Sequence, residues 1–559
     1  MGIRVWINEI KFSDDTTLQF EKDDVVVFVG PNNAGKSAAL KEMATLLNVK
    51  TDRGKVLKDI SIEKEGDEIE LLTLLGKSAT KNYHNNEVYY EGLDLHIWEY
   101  DAKNTFSDYS NGIGKLASLF ANSLTTEQRL QAANPAKNIK LTTQAKQHPI
   151  HYLQENDTLE QRFSDYFRQA FGTDLIVHRN AGNEVPLYVG KTPETEPNED
   201  RVSVTYLRKL ETLDLLHEQG DGMRSFVGVL LNAFISNHSL LFIDEPEAFL
   251  HPPQARLLGK MLAKDLPSER QLFLATHSED FLKGLLDANI NKLKIIRIQR
   301  DGSINKINSL TSSDIDNVWN DSLLRHSNVL NGLFHSKVVI CESDSDCRFF
   351  SAILSSQYDS TETIAPDILF IHCGGKHRIP TAVKALKKLN VSLKVISDFD
   401  VLDNINPLKE IFEDLGGIWN EVENDWKLVK TEIEQKRPEF LTTDLKTEIE
   451  RIFTTTSDRI FPKEKISEIK KALKKASAWT EAKEVGKAYI PSGNATQAFE
   501  RIQLKFKEKG LLIPEVGELE SFVKSVGNHG PKWVSEVLTK DLKTDDELET
   551  ARQFVRQLI

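Results

Sequence analysis

The chain has only three cysteines among its 559 residues, and none has the paired spacing of a zinc site. So few thiols exclude a secreted domain that depends on disulfides. No apolar run approaches the roughly 20 residues that a membrane span needs, and the first residues lack the apolar core of a signal peptide. These absences predict a cytoplasmic protein with reduced, buried thiols and no membrane contact.

The chain also lacks an excess of positive charge: its formal net charge is −13. That balance does not favour a general nucleic-acid binder. It does not exclude one, because salt screens charges beyond about 8–10 Å and a local basic groove can still bind phosphate. A basic amphipathic helix is predicted over residues 463–479. Its lysines fit either a solvated surface or contact with a DNA backbone.

Apolar stretches of strand length alternate with helical patterns along the chain. The first group has strands at residues 25–29, 240–243 and 271–275. The second has strands at residues 337–341, 368–373, 393–396, 488–490 and 511–513. Such alternation predicts parallel sheets. We therefore expect an α/β protein with two domains, residues 1–335 and 336–559, the second carrying a charged helical insertion at about 405–485.

A glycine-rich loop follows the first buried strand and opens a helix. Residues 30–37 fit the pattern G-x-x-x-x-G-K-[ST] in the strand–loop–helix context that this motif requires. Backbone N–H groups of such a loop and the helix N-terminus bind phosphate. Lys36 is expected to reach the β- and γ-phosphates of ATP, and Ser37 to ligate Mg²⁺. The other nucleotide-binding candidates in the loop are Gly30, Asn32, Asn33 and Gly35.

Polar residues at the ends of two later strands complete the predicted ATP site. Asp244 is expected to hold Mg²⁺, and Glu245 to orient or deprotonate the attacking water. His277 follows the strand at 271–275 and could sense the γ-phosphate, although a lone histidine is more often structural. The position of His277 at a strand end favours the functional interpretation.

Together these motifs resemble the ABC-type ATPases, close to the SMC group. The segment at residues 219–225 is similar to the signature loop of that class, in a looser residue order, and a glycine-rich helix start explains it equally well. The resemblance implies a homodimer or higher homo-oligomer formed through the ATPase domain. In such a dimer Gly222 and Ser225 would lie near the γ-phosphate bound by the other copy.

A second group of carboxylates follows two strands of the second domain. Glu342 comes directly after the strand at 337–341, and Asp398 and Asp400 follow the strand at 393–396. The carboxyl ends of neighbouring parallel strands lie side by side, so these charges should meet and repel. Bound Mg²⁺ or Mn²⁺ would offset that repulsion, and two such ions can activate water for phosphodiester cleavage.

This pattern resembles the Toprim domain of topoisomerases, primases and related nucleases, with Ser343 in place of the glycine of that family. It includes Asp346, four residues after Glu342, as a metal ligand. Glu518 and Glu520 could hold a second ion, or they could simply start an acidic helix. Lys532 could stabilise the reacting phosphate, although a solvated surface position is the commoner role for a lysine.

An ABC-type ATPase followed by a Toprim domain resembles the OLD (overcoming lysogenization defect) family over nearly the whole chain. The resemblance implies a metal-dependent DNase, regulation by bound nucleotide and a role in antiphage defence. It implies a helical dimerisation segment inserted in the ATPase domain, at about residues 105–205. A companion subunit is also implied, either a helicase-like protein or a retron reverse transcriptase with its nucleic acid. Glu518, Glu520 and Lys532 stand where family members carry metal ligands and a catalytic lysine.

Two functions stay open from the sequence. The first is an ATP-regulated, Mg²⁺- or Mn²⁺-dependent DNA endonuclease or nickase, with Glu342, Asp398 and Asp400 at the cutting site. The alternative is an ATP-gated DNA-binding or scaffold protein whose Toprim-like domain is inactive. The clustered carboxylates favour the first function, because keeping such charges together costs free energy if no metal binds.

Overall fold

The computed structural model describes residues 2–50, 54–92, 95–142, 144, 146–197, 199–302, 304–310, 319–320, 328–358, 364–436, 442–456, 460–474 and 478–559. Contacts divide the chain into two compact units, Met1–Asp316 and Asn317–Ile559. The domain boundary predicted between residues 335 and 336 stays a prediction. In the described part of the chain, no helix is both long and apolar enough to span a membrane.

The core of the first unit is a mixed sheet around the strand Val25–Val29. All residues of that strand are buried, as expected for a parallel strand covered on both faces. The carboxyl ends of the parallel strands share one edge, which brings together the loops that follow them. In order across the sheet, the described strands are Ile304–Leu310, Leu293–Asp301, Val25–Val29, Gln271–Ala275, Leu240–Asp244 and Ala121–Leu124, and the first of these is antiparallel to its neighbour.

Smaller antiparallel sheets and surrounding helices complete the first unit. The sheets contain Thr17–Gln19, Arg4–Phe12 and Leu57–Glu65; Thr80–His84, Glu87–Gly92 and Leu95–Trp98; Asp174–Val177, Leu187–Gly190 and Asp214–Leu215; and the pair Ala136–Lys137 and Glu184–Val185. The α-helices are Lys36–Asn48, Glu68–Ser78, Glu99–Ser107, Ala117–Phe120, Thr126–Ala132, Pro149–Glu155, Asp157–Phe171, Val204–Leu210, Asp221–Phe234, Pro252–Asp265 and Glu279–Asp287.

The segment at about residues 105–205 is mixed rather than wholly helical. Its strand Ala121–Leu124 pairs in parallel with Leu240–Asp244 and so belongs to the main sheet. The helix Asp157–Phe171 buries Phe163 and Phe167, which share one face at helical spacing. The short strands were not predicted, because partners distant in the sequence complete their hydrogen bonds. Dimerisation through this segment stays a prediction.

The second unit is built on a parallel sheet, as the strand–helix alternation predicted. Lys337–Cys341 lies between Ile368–His372 and Leu393–Ile396, and Leu511–Leu512 pairs with the outer side of Leu393–Ile396. The strands that precede Glu342 and Asp398 are therefore direct neighbours. Among the described residues, the α-helices outside the insertion are Asp344–Ser356, Ile379–Lys388, Asn494–Lys509, Pro531–Val537 and Glu549–Arg556.

The strand predicted at residues 488–490 is wrong, because this part of the chain forms the 3₁₀ turn Gly486–Tyr489. Gly486 has φ 66°, and a Cβ added there would lie 2.2 Å from the carbonyl oxygen of Glu515. A close approach of two backbones therefore fixes this segment, and glycine is the residue that permits it.

The insertion at about residues 405–485 is helical in its described part. The predicted basic helix is observed over Lys463–Lys474, and its continuation to residue 479 falls partly on residues 475–477, which lie outside the described residues. The helices of the insertion are Ile405–Asp414, Glu423–Gln435, Thr442–Thr454, Lys463–Lys474 and Ala478–Val485.

Candidate functional site

The glycine-rich loop of the first unit has the backbone geometry that phosphate binding needs. Gly30 and Gly35 have φ of 144° and 104°, which L side chains rarely adopt. A Cβ on Gly30 would lie 2.0 Å from the carbonyl oxygen of Ile298, so glycine is required there. The helix Lys36–Asn48 begins directly after the loop, which leaves its first N–H groups available to a phosphate.

Lys36 and Ser37 lie where the motif predicts them. The Lys36 ammonium is buried and donates to the carbonyl oxygens of Gly30 and Pro31, each at 2.8 Å. The Ser37 hydroxyl donates to Asp244 Oδ1 at 2.9 Å. A hydroxyl and a carboxylate side by side suit the magnesium ion of a bound nucleotide. The nucleotide roles of these residues stay predictions.

A cavity of about 970 Å³ opens over the loop, which is the size of a cofactor site. Loop residues 32–38 line it together with Glu245 and His277. Lys55, Arg300 and Asn305 also line this cavity, and no motif in the sequence pointed to them. Cationic side chains beside a phosphate-binding loop suit a polyanionic nucleotide.

Glu245 and His277 lie next to each other at the carboxyl edge of the main sheet, with 3.5 Å between Glu245 Oε1 and His277 Nε2. Glu245 has φ 48°, a conformation that is uncommon outside glycine and that clusters at functional sites. Burial, with a smaller contribution from Lys36, lowers the pKa of His277. A neutral imidazole beside a carboxylate suits a group that positions water or contacts a phosphate.

Two further charged residues at this edge, Glu247 and Arg129, were not predicted from the sequence. Glu247 accepts hydrogen bonds from the Thr276 hydroxyl at 2.7 Å and from the His277 N–H at 3.1 Å, and burial raises the pKa of Glu247 to about 7. Arg129 is fully buried and donates to the carbonyl oxygen of Asp244. Glu247 stands near the Asp-Glu pair in sequence, which was a usable signal. No sequence pattern connects Arg129 to this site.

Gly222 and Ser225 lie in the first turns of the helix Asp221–Phe234. A Cβ on Gly222 would lie 2.8 Å from the carbonyl oxygen of Phe249, so Gly222 packs closely against its own chain. Ser225 is fully buried within the unit. A role for these two residues opposite another copy's phosphate stays a prediction.

In the second unit, Glu342, Asp398 and Asp400 meet at the carboxyl edge of the parallel sheet, and we call this group the acidic edge. One carboxylate oxygen from each lies within 4.8 Å of the others. Glu342 Oε1 accepts hydrogen bonds from the Ser397 hydroxyl at 2.5 Å and from the Asp398 N–H at 3.1 Å. Lys483 Nζ lies 2.8 Å from Asp398 Oδ2. Glu342 and Asp398 therefore each have one oxygen held by the protein.

Asp400 is held in the same way. Lys376 Nζ donates to Asp400 Oδ2 at 2.7 Å and to the Asp400 carbonyl oxygen at 3.2 Å. Asp400 Oδ1 is buried and has no hydrogen-bond partner within the described residues. A buried oxygen without a donor beside two further carboxylates fits a divalent cation with hard oxygen ligands.

Burial and mutual repulsion raise the pKa values of these carboxyl groups. Burial first, and then the charge of Asp398, raise the pKa of Glu342 to about 7. The same two causes raise the pKa of Asp346 to about 6, and burial raises the pKa of Asp398. A bound cation would lower these pKa values again, because it favours the ionised form of the carboxyl groups.

A neighbouring cluster contains Glu518, Glu520 and His529, whose ligand atoms also lie within 4.8 Å of one another. The Gly530 N–H donates to Glu520 Oε1 at 2.7 Å. Burial and the charge of Glu520 raise the pKa of Glu518 to about 7. The charge of Glu520 also acts on Asp398, so the two clusters lie close enough to interact.

Asp346 and Lys532 have different surroundings. Asp346 is buried and accepts hydrogen bonds from the Ser343 N–H at 2.8 Å and from the Ser343 hydroxyl at 2.9 Å. Lys532 is exposed at the start of the helix Pro531–Val537. No ion pair or hydrogen bond within the described residues joins Lys532 to either acidic cluster. The catalytic role of Lys532 stays a prediction.

In the second unit, Lys376, Lys483 and His529 contact the acidic clusters without having been predicted as site residues. Lys376 follows Gly374 and Gly375 at the carboxyl end of the strand Ile368–His372, a position that could have identified it. Lys483 belongs to the helix Ala478–Val485 within the insertion. Its sequence context gives no such signal, since an exposed helix would carry the same residue.

Comparison with known families agrees with these two sites. Residues 25–282 match a family model described as "AAA domain, putative AbiEii toxin, Type IV TA system". Residues 333–400 match the model of the TOPRIM domain of overcoming lysogenization defect protein-like sequences. The chain joins a P-loop ATPase domain to an OLD-like TOPRIM domain. We refer to the unit Asn317–Ile559, which contains the second match, as the Toprim unit.

One curated relative is the Old nuclease of Escherichia phage P2. It is 26% identical over 172 residues, which are 30% of this chain and 29% of the relative. The chain thus matches less than a third of the length of that relative.

Solved structures similar to this chain include SMC heads. An Smc head bound to the C-winged helix domain of ScpA is 11% identical, covers 56% of this chain and 99% of its own, and has a TM-score of 0.35. The SMC head domain from Thermotoga maritima is 13% identical, covers the same shares and has a TM-score of 0.29. The P-loop ATPase assignment rests on the matched family and on the strand–loop–helix geometry.

Proposed function

We propose that the chain is a divalent-metal-dependent DNA endonuclease or nickase that is regulated by ATP and acts in antiphage defence. The match to an OLD-like TOPRIM domain and the similarity to the Old nuclease of phage P2 support this proposal. The observation that carries it is the convergence of Glu342, Asp398 and Asp400, each of which has one carboxylate oxygen that accepts no hydrogen bond from the described residues.

These three residues would hold one Mg²⁺ or Mn²⁺ ion, and Glu518 and Glu520 would help to hold a second. The ions would supply an activated water and stabilise the oxygen that leaves the cleaved phosphodiester. The protein contributes the orientation of the ligands. Lys532 would act as the lysine that stabilises the reacting phosphate.

The ATPase domain would bind ATP through Lys36 and Ser37, with Mg²⁺ shared between Ser37 and Asp244. Glu245 and His277 would act on the attacking water and the γ-phosphate. We also propose a homodimer through this domain, with Gly222 and Ser225 opposite the bound nucleotide of the other copy. A companion defence subunit, either a helicase-like protein or a retron reverse transcriptase with its nucleic acid, would couple infection to cutting.

The test is cleavage of supercoiled, linear and single-stranded DNA with Mg²⁺ or Mn²⁺, with and without ATP. The isosteric variants Glu342→Gln and Asp398→Asn should each lose at least about 100-fold in cutting rate, because each removes a charged ligand from the metal cluster. The matched control is Glu515→Gln, whose carboxylate pairs with Lys487 at 3.4 Å, outside the acidic clusters, and which should cut normally.

Two results would contradict the nuclease proposal. Cutting that survives in both variants would place the activity outside the acidic edge. A wild-type protein that binds DNA and ATP but cuts no DNA form with either metal would instead support an ATP-gated DNA-binding or scaffold protein with an inactive Toprim-like domain.

A further inference from the structure

Lys483 reaches the acidic edge from a helix that is fixed in place. Ala478, Trp479 and Ala482 of the helix Ala478–Val485 are buried. A Cβ on Gly517 would lie 2.2 Å from the carbonyl oxygen of Lys483, so the backbones of these two residues are in direct contact. The helix therefore cannot move away from the sheet edge without breaking this contact, and Lys483 is held at the site by the fold.

The Lys483 ammonium contacts the same carboxylates that would bind a divalent ion. Its Nζ lies 2.8 Å from Asp398 Oδ2 and 3.8 Å from Asp400 Oδ1, and its side chain is 32% exposed. The positive charge also acts on Glu342 and on Glu518, so Lys483 interacts with members of both acidic clusters. It is a cation placed among the predicted ligands of both ions.

Lys376 provides a contrast within the same site. Its ammonium binds Asp400 Oδ2 and the Asp400 carbonyl oxygen. Lys376 does not contact Asp400 Oδ1, which remains available to a cation. Lys376 therefore orients Asp400 as a ligand. Lys483 instead lies on the side of the clear oxygen, at 3.8 Å from Asp400 Oδ1.

An ammonium and a divalent cation that share these oxygens would repel each other. Like charges a few ångströms apart in a partly buried site interact by several kcal/mol, even at the higher effective dielectric constants of proteins. The carboxylates can therefore bind either the Lys483 ammonium or a full set of divalent ions. Binding of one of these cations lowers the affinity of the carboxylates for the other.

We propose that Lys483 is a built-in counter-ion that competes with divalent cations for Asp398 and Asp400. Its ammonium neutralises the acidic edge before metal binds and releases these carboxylates when metal enters. This inference rests on the proposed function in one respect, since it takes the acidic edge to be a metal site. It goes beyond that function by assigning a residue of the helical insertion to the control of metal affinity.

The first experiment compares Mn²⁺ binding by wild type and Lys483→Met in the full-length protein, by isothermal titration calorimetry without DNA. Methionine keeps most of the side-chain length but removes the charge. Lys483→Met should bind Mn²⁺ at least about tenfold more tightly and should unfold at a lower temperature in EDTA. Lys483→Arg keeps the charge and should remain near wild type, as should the charge-loss control Lys487→Met, whose lysine pairs with Glu500 at 3.1 Å.

Equal or weaker Mn²⁺ binding by Lys483→Met overturns the inference, and weaker binding would show that Lys483 orients the ligands instead. If wild type binds Mn²⁺ in that case, the proposed nuclease site survives. If neither protein binds Mn²⁺, the metal site itself is refuted, and with it the proposed function.

A second measurement uses wild type alone and so does not depend on how a variant folds. Lysines are labelled with an amine-reactive ester in EDTA and in Mn²⁺, and the labelled peptides are quantified by mass spectrometry. Lys483 should react several-fold faster in Mn²⁺, because its ammonium has left Asp398, while Lys487 should not change. A Lys483 labelling rate that is unchanged or slower in Mn²⁺ overturns the inference.

Discussion

Replacing Glu342 by glutamine should stabilise the metal-free protein at alkaline pH while removing a metal ligand. Burial and the neighbouring Asp398 raise the pKa of Glu342 from 4.5 to about 7. Ionising Glu342 in the folded state therefore costs about 3 kcal/mol more than in the unfolded chain. Glutamine has the same shape, keeps an oxygen that can accept the hydrogen bond from Ser397, and carries no charge.

The sign of the pH dependence follows from proton binding. Between pH 4.5 and about 7 the folded protein holds a proton on Glu342 that the unfolded chain has released, so wild-type stability falls as pH rises through this window. Glutamine does not titrate, so Glu342→Gln does not lose stability in this way as the pH rises. Its advantage should be small at pH 5 and complete at pH 8, where about 3 kcal/mol corresponds to roughly 6–12 °C in the melting temperature of a unit of this size.

The assay is differential scanning calorimetry of the full-length protein in EDTA at pH 5, 6, 7 and 8. Glu515→Gln serves as the control, because that carboxylate is 61% exposed and should change stability little. Addition of Mn²⁺ should stabilise wild type more than Glu342→Gln. A variant that is less stable than wild type at pH 8, or whose difference from wild type is the same at pH 5 and pH 8, would refute the electrostatic account of this cluster.

Two further predictions concern the P-loop and the glycine next to the acidic edge. Lys36→Met should weaken the binding of a fluorescent ATP analogue at least about 100-fold, because a buried charge that faces the phosphates is lost. The control is Lys41→Met, on the exposed side of the same helix, which should bind the analogue like wild type. Equal affinity of Lys36→Met and wild type would refute the nucleotide assignment. Gly517→Ala should lower the free energy of unfolding by at least about 2 kcal/mol and should perturb Mn²⁺ binding. Gly517 has φ 114°, and the new Cβ would lie 2.2 Å from the Lys483 carbonyl oxygen. Thermal unfolding measures this loss of stability. The control is Gly527→Ala, because a Cβ added at Gly527 meets nothing within 4 Å. Equal stability of the two variants would contradict the close contact at Gly517.

Local sequence patterns were enough to identify the features whose signal is contiguous in the chain. The loop at residues 30–37 needs a strand before it and a helix after it, and all three are contiguous in the chain. The sequence pattern also shows where the buried apolar strands end. The residues that follow these strand ends include Glu342 and Asp398. Their convergence then followed from a general property of parallel sheets, that the carboxyl ends of the strands share an edge.

The tertiary structure alone decided which other side chains join these edges. Lys483 reaches Asp398 from 85 residues further along the chain, through a helix of the insertion whose exposed and buried faces the sequence does not distinguish. Arg129 reaches Asp244 in the same long-range way. The strand predicted at 488–490 failed for the same reason, because the contact between Gly486 and Glu515 overrides local preference. Local patterns fix backbone elements, whereas the partners of a buried charge depend on packing between segments far apart in sequence.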